Sequence, residues 1–518
     1  MQKIVTIEEM IRIEKAAEAA GHSYAQMMER AGKSLADALL ARISGIKDKH
    51  VLVLAGSGNN GGDGLVAARW LAEAGATLAI YLTKDRSEDD PYLAALRDLG
   101  ILIAVGEQDQ RSRVLKLQLG RADVVVDAVL GTGFKLPLKG IARQVLKVAK
   151  QSRTRPYVVA VDCPSGLNCD TGEIAKETLA ADLTVTLAAA KPGLFLFPGA
   201  EYVGELVVGD IGLPPDQEEL ASIKTELVTA ESARQWLPAR PISAHKGTFG
   251  RALIVAGSIH YPGAAALAGR AAYLAGAGLV TLAVPASVQT MIAGGLPECT
   301  WLPLAETLDE ATADILAVEW ERTQALLLGP GFGLKSTTAS FLRALIGAGT
   351  PLPPAVVDAD GLKLMARVEG WESMLPQGSV LTPHPGEMSV LTGIPTEEIQ
   401  EHRSELATEK AAEWGHIVVL KGAFTVIAHP DGRSALIPIA TPALARAGTG
   451  DVLAGLLVGY RAQGLPGFEA SILGCYIHAR AGLLAAQAIG TAASVLAGDV
   501  AAAVPRAIAE LEHSPPAN

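Results

Sequence analysis

Two glycine-rich segments, Gly56-Ser-Gly-Asn-Asn-Gly-Gly-Asp-Gly64 and Ala447-Gly-Thr-Gly-Asp-Val-Leu-Ala-Gly455, each stand between an apolar strand-like run or a turn and a helix-forming run. A chain that turns through glycines into a helix brings backbone N–H groups and the positive end of a helix dipole to one point, a natural anion site. Two such points, one near each end of the chain, imply two sites. With 518 residues the chain also exceeds what one ordinary core holds, so the expectation is two domains, each with its own site.

The pattern between the glycine segments is alternating. Residues 3 to 44 read as two amphipathic helices, His50 to Ala55 as a strand, Leu65 to Ala74 as a helix and Ala76 to Leu82 as a strand, which makes a βαβ unit. Strand-then-turn pairs recur at Asp123–Asp127 before Gly131-Thr-Gly133 and at Tyr157–Asp162 before Pro164-Ser-Gly166. The run Gly212-Leu-Pro-Pro-Asp-Gln-Glu-Glu-Leu220 gathers proline and charge after the last strand of this half, so a boundary is expected near residue 220, dividing 1–220 from 221–518. Beyond it, Arg251–Gly257, Ala325–Gly331, Pro354–Asp358 and His416–Gly422 continue the alternation. Both halves therefore read as three-layer α/β/α domains around mostly parallel sheets.

Bulk properties narrow the function. A net charge of −11 with scattered Lys and Arg argues against a nucleic-acid or anionic-membrane partner, so an anionic ligand must be held by local donors. Four cysteines without CxxC spacing read as free thiols of a reducing, cytoplasmic compartment. The N-terminal segment mixes charges at helical spacing and is not a signal peptide. The uncharged stretches 271–297 and 481–498 are rich in Ala, Gly, Ser, Thr and Gln, and Pro285 interrupts the first, so they read as closely packed buried elements rather than membrane spans.

Gly56-x-Gly58-x-x-Gly61 after a strand fits a dinucleotide loop, with Asp85 near the end of the next strand as a candidate ribose-binding acid. The inserted Asn59-Asn60 and Gly62-Asp63-Gly64 depart from it: amide oxygens beside carboxylates are hard cation ligands, and Asp63 can orient a ligand hydroxyl. Asp127 and Asp162 can also be plain turn acids or N-caps. Gly32-Lys-Ser34 lacks the first glycine of a phosphate loop, because Met27 stands there, and reads as helix surface. With Asn59-Asn-Gly-Gly-Asp-Gly64, Asp127 before Gly131-Thr-Gly133, and Asp162-Cys-Pro-Ser-Gly-Leu167, residues 1 to about 215 resemble the NAD(P)H-hydrate epimerase domain, of Rossmann-like fold. The resemblance implies that Asn59, Asn60, Gly61, Gly62, Asp63, Gly131, Thr132, Gly133, Phe134, Lys135, Leu136 and Pro137 contact the hydrated dinucleotide and that Asp162 faces its reacting part. It further implies potassium on Asn60, Asp127 and Ser165.

In the second half, a glycine turn at a helix start followed at once by an acid suits phosphoryl transfer, which must neutralise a migrating phosphoryl group and deprotonate its acceptor. Gly448 and Gly450 expose N–H groups there, and Asp451 is the candidate base, although an acid at that place can also be an N-cap. Through Lys246-Gly-Thr-Phe-Gly-Arg251, Tyr261-Pro-Gly-Ala264, Gly329-Pro-Gly-Phe-Gly333, Thr382-Pro-His-Pro-Gly-Glu387 and Lys421-Gly-Ala-Phe-Thr425, residues 225 to about 510 resemble the ribokinase-like ADP- or ATP-dependent NAD(P)H-hydrate dehydratases. That implies Ala264, Gly331, His384 and Asp451 around the hydrated nucleotide, and Lys421, Gly422, Ala423, Phe424, Thr425 and Gly450 around magnesium-bound ADP or ATP.

Together these resemblances imply a bifunctional repair enzyme whose substrates are the hydrates NADHX and NADPHX, in which water has added at C6 of the dihydropyridine. One half interconverts R and S hydrates, with Asp162 handling protons; the other dehydrates the S form, with Asp451 as base. The family implies a homo-oligomer, with a tetramer as one state. A vitamin-precursor kinase carrying a nucleotide-binding N-terminal module is the competing expectation, and phosphate release separates the two.

Overall fold

The computed structural model describes residues 2–87, 89–214, 216–347 and 351–513. Two compact units divide at Ile223 and Lys224.

In the N-terminal unit seven parallel strands run in the order Leu102–Val105, Thr77–Leu82, His50–Ala55, Val124–Ala128, Tyr157–Val161, Leu183–Leu187, Glu205–Gly209. Strand alternation builds the two faces: Val51, Val53 and Ala55 join a core with Leu35, Leu39 and Leu65 of the covering helices, while Leu52 and Leu54 join a core with Leu115, Leu119 and Leu146. Two helices precede the sheet, Ile7–Ala19 and Tyr24–Leu40, each opened by a capping box, Thr6 with Glu9 and Ser23 with Gln26.

The expected helix at Leu65 starts six residues earlier: Asn59–Glu73 is helical, so most of the first glycine segment lies inside the helix's opening turns. Packing explains why glycines are tolerated there. A Cβ on Gly61 would stand 2.0 Å from the Gly56 carbonyl oxygen, and one on Gly64 would stand 2.5 Å from Ala128 Cβ. The helix can thus press its N-terminus onto the strand ends only if those positions lack side chains. Of Gly32-Lys-Ser34, Lys33 is exposed as expected, but Gly32 is buried against Val66 of this same helix.

The C-terminal unit has its own sheet, in the order Thr225–Leu227, Ser434–Leu436, Val426–Ala428, Ile417–Leu420, Val380–Leu381, Ala355–Val357, Ala325–Leu328, Arg251–Val255, Leu279–Pro285, Thr300–Leu304. Pairing is parallel except where Val426–Ala428 meets its two neighbours. Four helices, Pro262–Leu274, Thr449–Ala462, Gly467–Ile489 and Ala497–His513, contribute to one large core. Their small residues let backbones approach: a Cβ on Gly455 would stand 2.3 Å from the Ala268 carbonyl oxygen.

The uncharged stretches resolve accordingly. Residues 271–297 are split among the end of Pro262–Leu274, the strand Leu279–Pro285 and the helix Ala286–Ile292. Residues 481–498 cross the end of Gly467–Ile489, a left-handed Gly490 and the start of the last helix. Gly467–Ile489 is long and apolar enough to cross a membrane by length and composition, yet 61% of its most apolar window is buried within the protein, as befits a core helix. All four cysteines are free and buried.

Candidate active sites

In the N-terminal unit the chain leaves His50–Ala55 toward one side of the sheet and Val124–Ala128 toward the other, so a crevice opens past their carboxyl ends. A cleft of about 830 Å³ lies there, lined by Asn59, Asn60, Gly61 and Asp63 from the first glycine segment, Gly131 to Phe134, and Asp162. Gly62 faces Met28 instead, and Lys135, Leu136 and Pro137 are not among the lining residues. Lys139 to Ala142 take that part of the wall, while Asp85 is exposed and outside it.

Asp127 and Ser165 stand behind the wall as a tie between two loops. The buried Asp127 carboxylate accepts from Ser165 Oγ (2.6 Å), Ser165 N (2.9 Å) and Val129 N (3.3 Å), and Ser165 Oγ also accepts from Leu130 N at 2.8 Å. Burial raises the Asp127 pKa against the pull of the Ser165 hydrogen bonds. Asp127 has no ion pair among the described residues, and the side-chain nitrogen of Asn60, in the cleft wall against Gly131, is buried without a hydrogen-bond partner. A buried carboxyl, a side-chain amide with an unpartnered nitrogen and a hydroxyl offer oxygen donors of the kind that fit a hard monovalent cation.

Asp162 sits at φ 64°, left-handed for a non-glycine residue, just past Val161. Of the six described non-glycine residues with positive φ, Asp162 lines the cleft, Ala188 follows the lining residue Leu187, Ala359 stands between Asp358 and Asp360, and Phe424 lies in the Lys421–Thr425 turn. Such geometry costs about 1–3 kcal/mol each and is held by its surroundings. Asp162 Oδ1 accepts from Thr186 Oγ1 (3.2 Å), Leu187 N (3.0 Å) and the ammonium of Lys191. Lys191 is 1% exposed; burial is the largest influence and works against its charge, but the Asp162 charge and hydrogen bond, with the nearby Cys169 and Cys163, together raise its pKa. Glu14, from the first helix, lines the same cleft, with its pKa raised by burial and by Asp162 against Lys191. Sequence reasoning missed both. Lys191 left a signal, a single charge in the apolar run 187–197; Glu14 left none, being one of several acids on an amphipathic helix.

In the C-terminal unit Gly448 is left-handed (φ 89°) and the helix Thr449–Ala462 begins immediately after it, so the second glycine segment is again a helix start. Asp451 lies in its first turn. Its pKa is pushed up to about 7, by burial first and then by the neighbouring Asp358 charge, with Lys421 opposing. Lys421 Nζ donates to Asp358 Oδ1 at 2.6 Å and lies 3.6 Å from Glu387 Oε2. Lys363 bridges Asp360 (3.2 Å) and Glu387 (3.8 Å). Glu387 also accepts from His384 N at 3.0 Å, while His384 Nδ1 caps the helix Pro385–Thr392 by accepting from Gly386 N and Glu387 N. His384 is thus both an N-cap and a neighbour of the charged cluster; burial comes first in lowering its pKa.

The other expected residues surround this cluster. A Cβ on Gly331 would stand 2.9 Å from Ala264 Cβ, so those two positions adjoin, and one on Gly450 would stand 3.6 Å from Lys421 Nζ. The segment Lys421 to Thr425 turns through Gly422 (φ 150°) and Phe424 (φ 56°), with the Arg403 guanidinium against Gly422 and donating to the carbonyls of Leu420 and Lys421. Asp358, Asp360 and Lys363 received no role from the sequence. Asp358 carried the same signal as Asp127 and Asp162, an acid at the end of an apolar run. Asp358, Asp360, Glu387 and Asp451 outnumber Lys363 and Lys421 by two charges. No group of three or more His, Cys, Asp or Glu side chains is placed to hold a metal ion among the described residues.

Fold and sites define a chain of two open α/β units, each with carboxylates and a lysine gathered at the carboxyl edge of its sheet beside a glycine-opened helix. The family model described as YjeF-related protein N-terminus matches residues 24–193, and that described as NAD(P)H-hydrate dehydratase matches residues 252–506. The bifunctional NAD(P)H-hydrate repair enzyme of Moorella thermoacetica is 39% identical over 94% of this chain and 93% of its own length; that of Thermofilum pendens is 37% identical over 94% and 93%. The ADP/ATP-dependent NAD(P)H-hydrate dehydratase of Bacillus subtilis, co-crystallized with ATP/Mg2+, is 32% identical and covers 56% of this chain and 100% of its own, with TM-score 0.49. The chain belongs to the family of bifunctional NAD(P)H-hydrate repair enzymes.

Proposed function

We propose that the N-terminal unit interconverts the R and S hydrates of NADH and NADPH, and that the C-terminal unit dehydrates the S hydrate at the expense of ADP or ATP, giving AMP or ADP and phosphate. The observation that carries this reading is a full-length family match that coincides with two separate charged sites on one chain. A shared ligand gives the two units a reason to be fused.

In the C-terminal site Asp451 takes the proton of the C6 hydroxyl as that oxygen attacks the donor's terminal phosphoryl group. A base with pKa about 7 is matched to work near neutral pH. The N–H groups of the Gly448–Gly450 turn and the helix dipole behind them receive the phosphoryl charge, and Lys421 with the Gly422–Thr425 turn holds the donor phosphates. Phosphorylation makes the C6 oxygen a good leaving group, which the ring nitrogen's electron pair expels. Magnesium, held by Asp358 or Glu387 together with the donor phosphates, supplies positive charge to that transfer when bound.

In the N-terminal site the first glycine segment and Gly131 to Phe134 hold the dinucleotide, Asp162 faces the hydrated ring, and Asn60, Asp127 and Ser165 hold potassium. When bound, potassium supplies a fixed positive charge behind the phosphate loops. The protein works in the cytoplasm, where buried thiols stay reduced, and as a homo-oligomer; sedimentation tests whether that is a tetramer.

The deciding experiment adds the protein to mixed R and S NADH hydrates with magnesium, potassium and either ADP or ATP, and follows absorbance at 340 nm. Full recovery of NADH with phosphate release is expected and names the donor. Recovery of only the S portion would remove the epimerase, and no recovery with either donor would sink the whole reading.

A further inference from the structure

Glu14, Asp63, Asp162 and Lys191 share the N-terminal cleft, whose wall also carries Lys84 and Lys139; of these lysines only Lys191 is buried. Lys191 has three N–H donors, and all three are committed, to Asp162 Oδ1, to Thr186 Oγ1 (3.1 Å) and to the Leu187 carbonyl (3.0 Å). None remains for Asp63, which is 8% exposed and makes no hydrogen bond or ion pair among the described residues. Burying a carboxyl without donors, facing two other carboxyls, disfavours its charged form. The groups around it bear this out: burial first, then the charges of Asp162 and Glu14, raise its pKa well above the carboxylate range, and Lys191 only partly opposes them. Tyr92, from the helix Pro91–Asp98, also lies in its field, and Arg86 beside Gly62 is paired with Asp90.

Resting on the epimerase reading above, we propose that Asp63 is the proton donor of this site and Asp162 its acceptor, serving adjacent atoms of the hydrated ring, N1 and the C6 oxygen. Inversion then proceeds by opening and reclosing the N1–C6 bond. Asp162 takes the hydroxyl proton as C6=O forms; the N1–C6 electron pair goes to N1, which takes the Asp63 proton. A half-turn about C5–C6 presents the other face of the carbonyl. N1 then attacks C6, its proton returns to Asp63, and the oxygen recovers the proton held by Asp162. Every atom and charge is restored and no water is consumed. The alternative, loss of water from one face and its addition to the other, needs an acid and a base on opposite faces of the ring, whereas this donor and acceptor belong to one cluster.

The test runs the full-length protein on the R hydrate of NADH in ¹⁸O water with potassium and without ADP or ATP, scoring label at C6 against inversion by mass spectrometry. Inversion with the original oxygen kept is expected; one ¹⁸O gained per inversion would overturn the ring-opening route. Asp63→Asn, close to isosteric, is expected to slow inversion at least about 100-fold, the scale for losing a general acid. A near wild-type rate in that variant would remove Asp63 as donor. The isotope result on the unaltered protein stands whether or not the variant folds. Absence of any R-to-S exchange in the unaltered protein is a different failure, that of the epimerase reading itself.

Discussion

Each unit sets a lysine among carboxylates past the ends of parallel strands, but the two lysines are used differently. Lys191 is 1% exposed and spends all its donors on Asp162, Thr186 and Leu187. Lys421, 16% exposed on its side chain, is shared between Asp358 and Glu387. Burial and the neighbouring carboxyls raise the pKa of Asp63 well above the carboxylate range against the saturated lysine, and raise that of Asp451 to about 7 against the shared one. Similar inventories of charge, with Lys363 as a second cation in the C-terminal cluster, therefore leave one carboxyl in each unit with a raised pKa, burial being the first cause in both.

The sharpest way to separate the units is Asp451→Asn. Dehydration should fall by two or more decades, the usual scale for a lost general base, while R-to-S exchange continues; phosphate release and absorbance at 340 nm read dehydration, and chromatographic separation of the R and S hydrates reads exchange. Near wild-type dehydration would end the role of Asp451 as base.

Next in size is Lys191→Met. Removing one partner of a buried ion pair costs about 3–5 kcal/mol, so the N-terminal unit should unfold at distinctly lower denaturant while the C-terminal unit keeps its own transition. An unchanged first transition would mean that the Asp162 carboxylate does not depend on this lysine.

The pH profiles should differ as well. Asp451 must be ionised to act, and with its pKa about 7 the dehydratase kcat/KM should fall about tenfold per pH unit below that value. A profile flat down to pH 5 would contradict the assignment. The smallest effect concerns potassium: exchanging it for a bulky organic cation should lower R-to-S exchange several-fold, by loosening the loops tied at Asp127, and leave dehydration unmoved. Equal loss in both activities would show that potassium does not act at Asn60, Asp127 and Ser165.

Much of this was legible in the residues. Alternation of apolar runs with helical periods announces open α/β sheets, and acids at the ends of apolar runs, Asp127 at the last residue but one of its strand and Asp162 and Asp358 directly after theirs, mark the edge where ligands bind. Helix starts were read less well. Glycines at 61, 62 and 64 look like loop in a sequence, because their purpose, backbone contact with Gly56 and side-chain contact with Met28 and Ala128, lies in packing. The two compact units divide between Ile223 and Lys224, three residues beyond the break expected near residue 220.

The sequence by itself determined the class of fold, the two glycine-opened helix starts and the acids that follow them, since periodicity and turn chemistry are local properties. Only the tertiary structure decided which charges meet. Glu14 and Lys191 lie 177 positions apart by their numbering and share one cleft, and Lys421 reaches Asp358 across the sheet. Whether a carboxyl keeps its proton depends on burial and on the direction of its neighbours' donors, and neither exists before the chain has folded.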